Sequence, residues 1–228
     1  MELPIFNDNL RSSGSWTDAL EQARAQWNPA SDQVRDYQIA QLRQTSAGQL
    51  TDDALTKATT LVSAWASEPD AKFTLDRLLT LHRTLIAAPA DADVLRKTEP
   101  PPINALHDPT PAVLLPRMIE HAFDWFSTEG FAELHPVEQA AVVYLRLLDM
   151  HPFKTATEPT ALLTAGFYTE RAGLPPLVIS ADDITQARFA QALEAAFRML
   201  TQPLVELFAE SLRATMKLSG QLSTDDIQ

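Results

Sequence analysis

The residues most able to do chemistry lie together in one short loop. His151 ends a long helical pattern, and Lys154-Thr155-Ala156-Thr157-Glu158 follows it after two residues. Lys154 is the only base in this loop and Glu158 is its only acid. From residue type alone, His151 is a polar cap for a buried helix end. Thr157 is an N-cap of the next helix, and Glu158 is a first-turn acid favoured by the helix dipole.

Other catalytic and metal-binding patterns are absent from the sequence. It contains no glycine-rich phosphate loop, no His-Glu-x-x-His zinc motif and no Gly-x-Ser-x-Gly elbow. It has no cysteine, which excludes disulfides, thiolate metal sites and cysteine nucleophiles. The five histidines, at positions 82, 107, 121, 135 and 151, lack the spacing of metal ligands. We therefore predict no metal site.

The charge and composition of the chain exclude some classes of binding partner. The net charge of −12 predicts an acidic surface that repels nucleic acid. No stretch approaches the roughly 20 apolar residues of a membrane span, and the first residues lack the basic start and apolar run of a signal peptide. Together with the absence of cysteine, these features predict a cytoplasmic protein that binds neither nucleic acid nor membranes.

The elements that must position the loop are helices. Apolar residues recur at helical spacing along most of the chain, and the scarcity of glycine (6 residues) argues against a sheet-rich fold. The predicted helices cover about 17–27, 31–45, 51–67, 73–87, 111–128, 135–150, a segment with Pro159 in its first turn that ends at 171, and 182–218, which Pro203 interrupts or kinks. The pattern predicts an all-α protein in which His82 and Tyr144 are core residues.

The connector between 88 and 110 breaks the helical pattern. Its prolines, including Pro100-Pro101-Pro102, cannot lie inside a helix. Between them, Val94 to Glu99 is long enough for a short strand or one arm of a β-hairpin. A connector of this length in a compact domain is usually functional.

The segment from His135 to Phe153 resembles the helix and loop that define the Fic/Doc family. In that family a helix beginning with His-Pro packs in the core and ends at His-Pro-Phe. An acidic residue, Gly-Asn-Gly, an arginine and a second arginine three residues later then follow. Further similarities occur in the expected order at Leu81-His82, Arg96, Pro100-Pro101-Pro102, Met118, Trp125 and Arg171-Ala172-Gly173.

This resemblance covers about residues 73–200 and implies a Fic-type helical domain whose central helix ends at the His-Pro-Phe loop. It divides one structural domain into an N-terminal helical segment (1–72), a Fic-like core (73–218) and a polar tail (219–228). It also implies that Arg96 and Lys97 belong to a flap that docks targets. The alternative is that both are solvated charges on a short strand.

The family assigns a task to each loop position. Its histidine is the general base on a target hydroxyl, and its phenylalanine anchors the loop. Its acidic residue holds magnesium, the Gly-Asn-Gly backbone and the following helix N-terminus bind phosphates, and its arginines neutralise charge. His151 and Phe153 match their positions.

The other positions depart from the family pattern. Thr155 replaces the magnesium ligand, and a neutral hydroxyl is a poor sole anchor for that ion. Ala156, Thr157 and Glu158 replace Gly-Asn-Gly, which restricts the backbone and adds a negative charge. Pro159 and Leu162 occupy the positions of the family's two arginines, so neither positive charge is present. The family's autoinhibitory glutamate is not evident in residues 1–60.

The leading hypothesis is a degenerate Fic-like protein that has lost AMP transfer and acts as a binding or regulatory module for an unidentified protein partner, with no cofactor. The alternative is a transferase with altered substrate, which uses His151 as general base on a protein hydroxyl and would then require ATP and magnesium. A third hypothesis is a structural protein that self-associates.

Overall fold

The computed structural model describes residues 15–27 and 32–225, and within these ranges all regular secondary structure is helical. The helices are α1 (Ser15–Gln26), α2 (Asp32–Thr45), α3 (Asp52–Ala66), α4 (Leu75–Leu85), α5 (Leu115–Phe126), α6 (Glu129–Ala132), α7 (Pro136–Met150), α8 (Thr157–Arg171), α9 (Asp183–Phe197) and α10 (Gln202–Asp225). The predicted all-α class is confirmed. The sequence also predicts that a helix ends at Asn28-Pro29 and that Ser31 or Asp32 caps the next helix. Asn28, Pro29 and Ser31 lie outside the described residues, and Asp32 is the first residue of α2.

The central helix is α7, which packs against α5, α8, α9 and α10. Twelve of its fifteen residues are buried, which marks a helix enclosed on all sides rather than an amphipathic surface helix. A capping box begins it: the Val137 amide donates to His135 Nδ1, and the His135 amide donates to a Glu138 carboxylate oxygen at 2.9 Å. The His-Pro start of the sequence motif is therefore a helix-capping device.

The N-terminal helices lie against this core. Helix α1 packs on α10, α2 packs on α3 and α10, and α3 packs on α4 and α8. Trp16 and Leu20 of α1 and Leu42 of α2 join the same apolar cluster as α7 and α8. The turn between α2 and α3 is thereby held close to the start of α8.

The last helical region differs from the prediction in two ways. It divides into α9 and α10 because Met199 adopts a left-handed conformation (φ 68°), and the Met199 and Leu200 amides donate back to Ala196 and Ala195 as in a Schellman cap. Pro203 does not kink a helix but lies in the first turn of α10, where its missing N–H costs nothing. Helix α10 also continues to Asp225, beyond the predicted end at 218.

The predicted strand or hairpin in the connector does not form within the described residues. Only an isolated antiparallel bridge between Leu95 and Phe153 is present there. The connector is instead held by side chains that contact the end of α7. Among the described residues, no helix combines the length and apolar composition required to span a lipid bilayer.

Candidate functional site

The loop after α7 begins with a left-handed turn at His151 (φ 45°, ψ 63°). The His151 amide donates to Leu147 and Leu148 carbonyls, which closes the last turn of the helix. A left-handed conformation costs a non-glycine residue about 1–2 kcal/mol. The surrounding contacts must therefore supply that energy, and two sets of contacts do so.

The first set anchors Phe153 in the core. Its ring is buried and stacks on His82, with ring centroids 3.6 Å apart and an angle of 4° between the planes. The Thr160 hydroxyl donates to the Ala156 carbonyl at 2.6 Å, so His82 Nδ1, 3.1 Å away, donates to the Thr160 oxygen. Burial, with a contribution from Arg83, lowers the pKa of His82 to about 4. The predicted core role of His82 is confirmed, and it holds both ends of the loop.

The second set caps the carboxyl end of α7. The buried Arg96 guanidinium donates through Nε to the His151 carbonyl at 2.6 Å and through Nη2 to the Met150 carbonyl at 3.1 Å. His107 Nε2 donates to the Asp149 carbonyl at 3.0 Å. These three carbonyls would otherwise have no partner in the helix, and a cation at a helix C-terminus is also favoured by the helix dipole.

Arg96 and His107 also hold the connector in place. Arg96 donates to the Thr98 carbonyl at 3.0 Å, to the Thr110 carbonyl and to a Glu99 carboxylate oxygen at 3.2 Å. We call the connector from 94 to 110, with these contacts, the α7 clasp. Arg96 is thus a structural residue, and the prediction of a solvated charge is wrong for it. Lys97 does point outward, with its side chain 80% exposed and forming a salt bridge with Asp93.

His107 was missed as a site residue by sequence reasoning, which tested histidines only for metal-ligand spacing. Its Nδ1 accepts from the Ile103 amide, so the proton lies on Nε2 and is available to the end of α7. Its ring also packs on Phe197 of α9. No local sequence signal marks this role, because its acceptor lies 42 residues away.

The start of α8 corrects the predicted N-cap. Ala156, not Thr157, is the N-cap residue, and it makes no side-chain capping bond. Thr157 is the first helical residue, and its hydroxyl donates to the Phe153 carbonyl at 3.1 Å. Ala156 adopts the left-handed conformation (φ 54°) that glycine takes more readily. The loop therefore turns at this position although the glycine is missing.

An open cleft of about 500 Å³ lies between this loop and the turn joining α2 to α3. Its floor is His151 and the first turn of α8, including Pro159, and its opposite wall is the chain from Thr45 to Leu50. This volume is in the range of small-molecule sites. Leu162 does not reach the cleft but packs in the core.

The cleft is close to neutral. Of the described residues that line it, the ionisable ones are His151, Lys154 and Glu158. Lys154, Thr155 and Glu158 are exposed. Crowding by neighbouring atoms nevertheless raises the pKa of Glu158 through desolvation. No arginine from elsewhere in the described chain lines the cleft in place of Pro159 or Leu162.

The imidazole of His151 borders the cleft without a hydrogen bond at Nδ1. This atom is buried and has no partner within the described residues, and the ring lies 6.3 Å from that of His107. Burial lowers the pKa of His151, and so do the neighbouring His107 and Arg96, which favours the neutral form of the ring. The helix end is capped by Arg96 and His107, while the side chain of His151 is left available to the cleft.

The donor set does not suit a magnesium nucleotide. The loop offers one hydroxyl at Thr155 and one carboxylate at Glu158, whereas magnesium is usually held by carboxylates together with substrate phosphates. Within the described ranges, no group of three or more His, Asp or Glu side chains is placed to hold a metal ion.

An all-helical fold whose buried central helix ends at a His-Pro-Phe turn beside an open cleft defines a Fic-type domain. Residues 72–169 match the family model described as Fic/DOC family. Over this stretch, which runs from the residues before α4 to the last turns of α8 and covers less than half of the chain, the protein is similar to the Fic/DOC family.

Relatives and solved structures agree with this assignment. The chain is 25% identical over 153 residues to the protein adenylyltransferase fic-1 of Caenorhabditis briggsae. This match covers 66% of this chain and 29% of the relative. It therefore spans about 30% of the length of the curated relatives it matches. A structure of Fic-1 from C. elegans superposes with a TM-score of 0.69 at 19% identity, covering 97% of this chain and 74% of that one. The structure of a Fic-domain signalling protein from Bacteroides thetaiotaomicron superposes with a TM-score of 0.69 at 17% identity. That superposition covers 90% of this chain and 96% of the other.

Proposed function

We propose that this protein is a degenerate Fic-fold binding or regulatory module that does not transfer AMP. The observation that carries the proposal is the charge of the cleft. Three ionisable side chains of the described residues line it, and the one firmly cationic group, Lys154, is offset by Glu158. A triphosphate brings several negative charges, and its transfer depends on cations that neutralise them in the transition state.

The loss of rate expected from the replaced loop residues favours a protein that does not transfer AMP. Removal of one preorganised contact to developing charge typically slows a reaction by about 10²–10³-fold. Here the acidic magnesium ligand and both arginines are replaced together, by Thr155, Pro159 and Leu162. Such losses are not additive, but two of the three also remove the positive charge that would hold the substrate. Glu158 adds repulsion at the helix terminus where phosphates would lie.

The retained scaffold supports a binding role. Phe153 and His82 fix the loop, the α7 clasp fixes the helix end, and the cleft stays open to solvent. The partner in this proposal is a protein, since the curated relatives are named protein adenylyltransferases. The net charge of −12 disfavours nucleic acid as the partner.

Calorimetry with ATP and magnesium at millimolar concentration tests the proposal. The native protein is expected to give no saturable heat. A variant with Glu158→Gly and Pro159→Arg serves as the positive control, because it removes the acid and restores one cation at the cleft wall. Saturable, magnesium-dependent binding by the native protein would overturn the proposal.

One observation favours the alternative, a transferase with altered substrate that uses His151 as base. Burial lowers the pKa of His151, its ring borders the cleft, and its Nδ1 has no partner within the described residues. In this alternative His151→Ala abolishes a transfer activity while the melting temperature stays unchanged. If the variant is only less stable, His151 is structural and the alternative fails.

A further inference from the structure

The distal part of the α7 clasp is anchored by one buried side chain. Within the described stretch from Lys97 to Pro109, His107 is the only buried residue. Ile103 and Leu106, the large aliphatic residues of this stretch, are 38% and 43% exposed. Because little apolar surface is buried here, the position of this part of the connector depends on the contacts of His107.

Both hydrogen bonds of His107 require one proton state of the ring. The Ile103 amide can only donate, so Nδ1, 2.9 Å away, must be the unprotonated acceptor. The Asp149 carbonyl can only accept, so Nε2, 3.0 Å away, must carry the proton. The imidazolium has N–H groups at both positions. A second proton, on Nδ1, would therefore face the Ile103 N–H and break the bond that closes the turn from 103 to 107.

The two flanks of this turn are held by a group that does not titrate. Arg96 donates to the Thr98 carbonyl on one side and to the Thr110 carbonyl on the other. An arginine side chain keeps its charge in proteins. Loss of the Ile103 bond would therefore release the stretch between these two carbonyls and leave the rest of the clasp in place.

Two acids lie near the ring of His107. Asp108 follows it in the chain, and Asp149 lies on α7, where its carboxylate pairs with Arg146 at 3.3 Å. Burial raises the pKa of Asp149, and Asp108 raises it further, against the effects of Arg146 and His107. Asp149 therefore takes up a proton more readily than an exposed aspartate as the pH falls, which reduces the negative charge available to a protonated ring.

The other neighbours of the ring give a second proton no direct partner. His151 lies beyond the end of α7 with its ring 6.3 Å away, and Arg96 binds the same helix end. Helix α9 contributes the apolar ring of Phe197, 5.1 Å away, while Glu194 and Arg198 of that region pair with each other. Across the described chain no carboxylate forms a salt bridge with the ring. A charged ring would therefore have no ion pair to keep it in this position.

We propose that His107 is a proton-sensitive latch of the α7 clasp. The singly protonated ring closes the 103–107 turn against the end of α7. Protonation of Nδ1 breaks the Ile103 bond, frees the stretch between Thr98 and Thr110, and uncovers the side of His151 that faces the ring. His107 does not line the His151 cleft, so the latch does not depend on what that cleft binds.

Nuclear magnetic resonance of the nitrogen-labelled protein between about pH 7.5 and 5 tests the proposal. The imidazole nitrogen shifts report the protonation of His107. Solvent exchange of the Ile103 amide, corrected for the intrinsic effect of pH, reports closure of the turn. We expect the protection of Ile103 to fall by about tenfold, with the same midpoint as the titration of His107, because a hydrogen bond of this kind contributes about that factor. Protection in α3 should not change.

Two variants assign the effect to His107. In His107→Gln the amide oxygen can accept from Ile103 and the amide nitrogen can donate to Asp149, and neither titrates. This variant should keep the protection of Ile103 constant over the same pH range. His121→Gln is the matched control, because His121 is an exposed histidine on α5, and it should retain the native fall.

The native titration is decisive even if His107→Gln does not fold. The proposal is overturned if His107 takes up its second proton while Ile103 stays protected. It is also overturned if the ring stays singly protonated over the whole range, or if a folded His107→Gln shows the native fall in protection.

Discussion

Replacing Arg96 should weaken the protein more than any change at its neighbour Lys97. In Arg96→Met the aliphatic stem is kept, but the carbonyls of Met150, His151, Thr98 and Thr110 lose their donor. Hydrogen bonds to a charged group contribute about 1.5–3 kcal/mol each. Because the four share one guanidinium, their contributions do not add. Loss of such a buried charged partner typically costs about 3–5 kcal/mol, which is the expected decrease in unfolding free energy.

Lys97→Met is the matched control. Lys97 is adjacent in sequence, but its side chain is 80% exposed, and its ion pair with Asp93 lies at the surface. Exposed pairs contribute about 0–1 kcal/mol, so this variant should remain within about 0.5 kcal/mol of the native protein.

Chemical denaturation gives both free energies, and thermal melting provides an independent measure. For a chain of this size a change of 1 kcal/mol moves the melting temperature by about 2–4 °C. Arg96→Met should therefore melt roughly 6–20 °C lower, by the same scaling. Hydrogen exchange should rise in the connector and at the end of α7 before it rises in α3. If Arg96→Met costs under about 1 kcal/mol, or if exchange rises uniformly, the α7 clasp does not stabilise the helix end as argued.

Three further changes test other parts of the structure. Burial raises the pKa of Glu170 to about 7 in the folded state. Between about pH 4.5 and 7 the unfolded chain loses this proton while the folded protein keeps it. The free energy of unfolding should therefore fall by on the order of 2 kcal/mol across this pH range. Glu170→Gln should flatten that region of a stability curve measured by denaturant titration, and an unchanged slope would contradict the assigned pKa. Ala156→Gly should raise the unfolding free energy by up to about 1 kcal/mol, because it relieves a left-handed alanine; a large loss in the same assay would mean that the methyl group packs favourably. Tyr144→Phe should be neutral or stabilising by up to about 1 kcal/mol in thermal melting, since its buried hydroxyl has no partner among the described residues.

The sequence predicted the positions of the helices closely. For α3 it placed the boundaries at 51–67, and the structure has Asp52–Ala66, with the Thr51 hydroxyl accepting from the Ala54 amide at the start of the helix. This succeeds because helix caps and apolar periodicity are local properties of the chain. The order of the His-Pro start, the His-Pro-Phe end and the later glycine also indicated a resemblance to the Fic/Doc family before any tertiary contact was known.

Predictions failed where a backbone geometry depended on distant contacts. Thr157 was the better N-cap by residue type, yet Ala156 takes that position because Phe153 and Thr160 hold the loop on both sides. The hairpin expected in the connector is replaced by the α7 clasp, since Arg96 satisfies carbonyls rather than a strand ladder.

The sequence by itself determined the helical class, the capped central helix and the replacement of the cationic and acidic loop residues. These depend on side-chain identity and on spacings shorter than a few helical turns. The tertiary structure alone decided that His107 and Arg96 cap α7 and that the cleft stays near neutral. Each of these joins residues from separate helices, and the burial and hydrogen bonding of a polar group depend on neighbours that only the packed fold supplies.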